Sequence, residues 1–271
     1  MKRVLKGVEP PALTTYHDAN PDAKWQEMQK DLADNGRHAC LDCRDQAIID
    51  QKGLCAFCEI DISDNSPLKC RVEHFHPKSD TSTEHNWAQD WQNMLGVCSG
   101  GSRSEVRDQS FYLPPTEKNL SCDAHKDRMI QLRKLPENCT GWILNPLQLV
   151  ATPSLFRVKK GSGELIPDPA SCLASEPWPD NRHASVKMLV QHTIEMLNLN
   201  CDRLTQTRLR IIYNIERNKK HQRQKGFNAQ QGLENLAQLY FRKPWPNFFT
   251  TIRLCLGPAA ETYLTNIAFQ G

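Results

Sequence analysis

This chain of 271 residues has no long hydrophobic run, and that absence closes off one class of protein. No window approaches the ~18 uninterrupted apolar residues of a membrane span, and the basic opening "MKRVLKGVEPPALTTY" contains no apolar signal core. A cytoplasmic protein with no membrane partner is the expectation. Internal repeats and low-complexity tracts are lacking too, which argues against a repeat architecture. A large charge excess of one sign is also missing: the net +3 is too small to name a partner, so the distribution of charge must be read instead. What remains, 39% hydrophobic and 24% charged, is ordinary for one large globular domain or two modest ones.

Cysteine, by contrast, is plentiful. Eleven of them, an odd number without a signal peptide, argue for metal binding over a disulfide framework. Cys55 and Cys58 in "CAFC" have the spacing by which two thiolates of one tight turn grip a tetrahedral zinc, with sulfur about 2.3 Å from the metal. No second CxxC follows, but Cys98, after the apolar "NMLGV", and Cys122, opening "CDAHK", would complete a four-cysteine site across a long inserted loop. Cys40 and Cys43 in "CLDC" form a rival pair that spacing alone does not dismiss.

Local patterning gives an α+β chain that is mostly helical. Residues 1–22, rich in proline and polar residues, read as an extended arm. A helix with Trp25, Met28 and Leu32 on one face follows over 22–36, and a second runs over 43–53, closed by Gly53. "LCAFCEIDIS" and "LKCRVEHFHP" read as short strands around a knuckle, and "LFRVKKGSGELIP" as a hairpin. Beyond Pro179, Val186, Leu189, Val190, Ile194 and Leu197 share a helical face, Asn200 is placed to cap the next helix, and Leu204, Ile211, Ile212 and Ile215 continue its stripe. The expected division is an N-terminal arm and helix (1–37), a domain holding the knuckle (38–145), and a hairpin with helices (146–271). Arg203 to Lys225 holds eight Lys/Arg against one Glu. Such a run either meets a phosphate backbone or is a solvated helix face.

"EHFHPKS" sets a carboxylate, Glu73, beside an imidazole, His74, at the end of a short strand. Joined by the knuckle to an asparagine in a following turn, Asn93, and an acid opening the next helix, Asp123, the pair makes a ββα-metal arrangement. Phosphodiester hydrolysis uses these residue types: an imidazole titrating near ~6.5 to activate water, and carboxylate oxygens to hold a hard cation such as Mg²⁺ or Mn²⁺. Asn93 would orient the histidine.

These pieces, "CAFC", "VEHFHPKS", "WQNMLGVC" and "CDAHK", resemble the HNH endonucleases. The resemblance implies that His74 is the catalytic histidine, Glu73 the adjacent metal ligand, Asn93 the central asparagine, Asp123 the last polar ligand and Lys126 the terminal lysine. Asp123 stands where Asn or His is usual; His76 and His125 are additional imidazoles that could serve as auxiliary ligands. "WILNPL", "GELIP" and "TIEMLNLNCDRLTQTR" further resemble the HNH subunit of Septu-type antiphage systems, the PtuB-like proteins, some of them retron effectors. That likeness implies a PtuA-type ATPase partner and, further, a retron reverse transcriptase with its DNA product, msDNA. DNA is the family's default substrate, with structured RNA such as tRNA the other. A zinc-stapled binding adaptor in which His74 is only structural is the competing reading. A zinc deaminase is excluded, because its H-x-E followed by P-C-x-x-C is absent.

Overall fold

Pro11 opens the first helix of the chain, a position where its missing N–H costs nothing and its fixed φ already suits the helix. The expected extended arm is therefore folded down: α1 (Pro11–Ala19) buries Leu13, and upstream of it Met1 and Val4 are buried as well, with Val4 donating to the carbonyl of Pro146. The computed structural model describes residues 1–32, 36–64, 69–102, 116–242 and 244–271. The second expected helix is reduced to one turn, α2 (Trp25–Met28), closed at its start by Glu27 reaching back to the backbone of Lys24. Leu32 ends up exposed, and residues 33–35 of that expectation lie outside the described residues. α3 (Ala39–Asp50) begins four residues before the Cys43 expected from the sequence. Leu13, Trp25, Met28, Cys40, Cys43 and Met94 form one buried cluster among these elements.

After α3 the chain makes a tight turn, bridged between Leu54 and Asp61, that holds "CAFC" as a turn and not as a strand. Two antiparallel strands follow, β1 (Cys70–His74) and β2 (Met94–Cys98), in a register that sets Cys70 opposite Cys98 and His74 opposite Met94. α4 (Cys122–Gln131) packs against β2. The expected hairpin is present as β3 (Phe156–Val158) and β4 (Leu165–Pro167). The remainder is helical: α5 (Pro169–Ala174), α6 (Val186–Met196), α7 (Asp202–Gln224), α8 (Ala229–Phe241), α9 (Phe249–Leu256) and α10 (Pro258–Asn266).

The apolar stripe of α6 is buried residue for residue. Asn200, however, does not cap α7. Its side chain accepts from the N–H of Leu165 and donates to the same residue's carbonyl, both at 2.8 Å, so it braces β4 and leaves Cys201 at the cap position. One buried cluster runs from Met1 and Ile48 through the knuckle cysteines to Leu144, Phe156, Ile194 and Leu204. That cluster includes residues on both sides of positions 145 and 146. A second cluster joins α7 to α8, α9 and α10. No helix among the described residues is long and apolar enough to cross a membrane.

Candidate metal centre and candidate active site

Cys55 and Cys58 come from the turn after α3, Cys98 ends β2, and Cys122 begins α4. Their four buried sulfurs all lie within 4.8 Å of one another. A tetrahedron with zinc–sulfur bonds of about 2.3 Å has edges of about 3.8 Å; the sulfurs of Cys58 and Cys98 are 3.7 Å apart. The long insertion is closed at its base by Gly100, whose carbonyl accepts from the N–H of Ser121 and whose own N–H points at the Cys98 sulfur. Glycine is required there: φ is +62°, and a Cβ would stand 2.2 Å from the carbonyl oxygen of Ser121. Residues 103–115 of that insertion lie outside the described residues. Cys122 itself has φ +55°, a left-handed conformation costing a non-glycine residue roughly 1–2 kcal/mol. Its N–H is fixed to the carbonyl of Leu197 at 2.8 Å.

The donor set fits zinc. Burial pushes the thiols of Cys58 and Cys122 up, and although burial also opposes ionisation of Cys55, hydrogen bonds from Cys122, Cys58 and Cys98 hold it well below the ordinary thiol range. Four thiolates on one divalent ion carry a net double negative charge. Two buried guanidinium groups, Arg203 and Arg208, stand close enough to interact electrostatically with Cys58 and Cys122. The rival pair, Cys40 and Cys43, is built into the α1–α3 core, where burial pushes the Cys43 thiol to about 12; among the described residues it joins no metal-ligating group.

A different group of residues faces a cavity of about 580 Å³ on the other side of the β1–α4 junction. Glu73, His74, Asp123 and Lys126 line it, together with Arg44, Arg71, Lys78 and Trp25. His74 is buried, and its Nε2 lies 3.1 Å from the carbonyl of Ala88. A carbonyl can only accept, so Nε2 carries the proton and Nδ1 keeps the lone pair. Burial, reinforced by the charge of Lys78, lowers its pKa to about 3 and keeps the ring neutral. The edge of Trp25 packs on the imidazole at 4.6 Å between ring centres.

The hydrogen bonds of the Asn93 side chain go to His76 and Trp87 and not to His74. Its Oδ1 accepts from the N–H of His76 at 2.7 Å, and its Nδ2 donates to the carbonyls of His76 and Trp87, each at 3.0 Å. It thereby clamps the two ends of the loop between His76 and Trp87, which follows His74. His76 is engaged with Asp80 and stacked on Trp87. His125 does not line the cavity: its Nδ1 bonds the carbonyl of Met196 on the far face of α4.

Glu73 is paired with Lys126, and the Oδ2 of Asp123 lies 2.7 Å from the Arg71 guanidinium. Burial and the neighbouring Asp123 carboxyl push Glu73 well above the usual carboxylate range, against the pull of Lys126. The Oδ1 of Asp123 is buried without a hydrogen-bond partner. Two buried carboxyls side by side, one with an unsatisfied oxygen, fit a hard divalent cation. Arg71, Lys78 and Arg44 escaped the sequence reading. The strand alternation was a usable signal for Arg71, which shares the Glu73 face at a spacing of two; Lys78 and Arg44 gave none.

No family model matches the chain. A curated protein of Escherichia coli named "Retron Ec83 putative HNH endonuclease" is 33% identical to it over 264 residues, a match covering 93% of this chain and 92% of the relative.

Proposed function

This chain belongs to the HNH endonuclease family, and from that premise we propose that it is a metal-dependent nuclease hydrolysing phosphodiester bonds in nucleic acid, with β1, β2 and α4 as its ββα-metal core. The observation that carries this reading is the convergence of a neutral, buried imidazole and two buried carboxyls on one cavity beside a four-cysteine cluster. His74 takes a proton from the attacking water at Nδ1, its Nε2–H anchored on Ala88. Asn93 holds the loop that fixes the ring, and Arg71, Lys78 and Arg44 present positive charge to the phosphodiester. Glu73 and Asp123 would hold a Mg²⁺ or Mn²⁺ ion, which supplies neutralisation of charge at the departing oxygen. Zinc on Cys55, Cys58, Cys98 and Cys122 leaves no open position and serves the fold.

The relative's name places that protein in a retron. By extension, this chain acts as an antiphage effector with an ATPase partner of the PtuA type and a retron reverse transcriptase with its msDNA. The likeness of residues outside the nuclease core to PtuB-like proteins supports the same assignment.

The test is cleavage of plasmid DNA and total RNA by the purified full-length protein, with and without the ATPase, in Mg²⁺ or Mn²⁺. Wild type should give 5'-phosphate and 3'-hydroxyl ends. His74→Ala should retain zinc and nucleic-acid binding and lose about 10²–10⁴-fold in rate. Binding without turnover by wild type under every condition would establish the adaptor reading instead.

A further inference from the structure

α7 carries a feature that neither the cysteine cluster nor the cavity uses. The helix packs through Leu204, Arg208, Ile212 and Ile215, all buried. On the opposite side, at successive spacings of three or four, stand Arg210, Tyr213, Arg217, Lys220 with His221, and Gln224. All six are solvent-exposed, and Tyr213 is 67% exposed. A solvated helix face ordinarily mixes signs, pairing acids with bases three or four residues apart. This strip contains no carboxylate. The one acid of this part of the helix, Glu216, lies off the strip, where Lys160 at 3.3 Å and Lys219 at 3.0 Å both engage it. From Arg210 to Gln224 the strip covers about 21 Å at 1.5 Å per residue, with Arg217 and Lys220 about 4.5 Å apart along the axis.

We propose that this face of α7 is a second nucleic-acid contact, a sequence-independent docking strip that receives the phosphate backbone through Arg217 and Lys220, with Tyr213 packing against sugar or base. Charge complementarity selects the occupant: a basic strip with one aromatic residue and no acid suits a polyanion with regularly spaced charges. None of its residues lines the cavity, so docking here is separable from cleavage and adds contact area beyond the active site.

Fluorescence anisotropy of the full chain with a labelled 20-base-pair DNA duplex, an RNA duplex of the same length, and single strands, in calcium and across a salt series, tests the assignment. The double variant Arg217→Glu/Lys220→Glu should bind duplex at least tenfold more weakly at low salt. The slope of log affinity against log salt should fall by roughly two, since each lost phosphate contact removes about 0.9. Arg217→Lys should restore most of the binding that Arg217→Glu removes. Zinc content and helicity should match wild type. Stronger retention of DNA or of RNA identifies which backbone docks. Equal affinity and slope for wild type and the double variant would overturn the proposal, as would sedimentation of wild type, but not of the variant, with anionic phospholipid vesicles when neither binds duplex. His74→Ala retains the strip, so a failure of cleavage alone would count against the nuclease reading and leave this one standing.

Discussion

Cys122 and Asp123 are consecutive residues of α4, yet one faces the sulfur cluster and the other the cavity. The cluster is made of four chemically identical donors, all buried and within 4.8 Å of one another. The cavity mixes imidazole, carboxylate and ammonium groups and is open to solvent. A closed set of like donors can only hold its metal and thereby the fold; a set of unlike groups around an open space can hold one reactant and act on it. The difference also shows in what each site leaves unsatisfied. Every sulfur of the cluster has another sulfur as a neighbour, whereas Asp123 keeps a buried oxygen with no hydrogen-bond partner.

The largest expected effect comes from breaking the closed set. Cys122→Ser should remove zinc from the protein, as measured by elemental analysis, and turn a cooperative melt into a broad one, because structural zinc binding is worth about 10–16 kcal/mol in zinc-finger peptides. Cys40→Ser/Cys43→Ser should keep a full complement of zinc. Zinc retained by the first variant and lost from the second would mean that the wrong four sulfurs had been chosen.

One residue along, Asp123→Ala should leave zinc in place and lower the cleavage rate by ~10²–10³-fold, with partial recovery as Mg²⁺ is raised, since a Lewis-acidic ion contributes several kcal/mol. If Asp123→Ala released the zinc as readily as Cys122→Ser, the two sites would not be independent.

The smallest effect is in the pH response of stability. His74 has its pKa lowered from 6.5 to about 3 in the folded protein. Between those values the unfolded chain binds the proton and the folded chain does not, so the contribution is fully present above pH ~6.5 and is lost as pH falls below it, by at most ~1.4 kcal/mol per pH unit. Denaturation of wild type and His74→Phe at pH 7, 6 and 5 should show the wild type losing more stability on acidification. Parallel curves would mean that the imidazole is not held neutral. Cleavage by wild type should likewise keep its acid limb below the ordinary histidine value, since burial has displaced the ~6.5 expected of an isolated imidazole.

The order of the chemistry was legible in the chain: "CAFC", "VEHFHPKS", "WQNMLGVC" and "CDAHK" carry every sulfur of the cluster and the cavity residues Glu73, His74, Asp123 and Lys126. So were α6, whose apolar period is strict, and the β3–β4 hairpin, marked by its glycines. Residue type and spacing sufficed here because these interactions are local or demand a rare side chain. The tertiary structure alone decided the rest. It gathered Cys98 and Cys122 beside Cys55 and Cys58, because only the fold sets β2 and α4 against the knuckle, while α3 turns the thiols of Cys40 and Cys43 into a core with Leu13 and Met28. It folded the N-terminal arm, through apolar contacts that a proline-rich stretch does not announce. It turned His125 towards Met196 and brought Lys78 and Arg44 to the cavity, since a side chain's facing depends on which element packs behind it. It also set the state of Glu73 and His74: burial and the charges of Lys78, from the loop after β1, and of Asp123 and Lys126, both on α4, push the carboxyl up and the imidazole down.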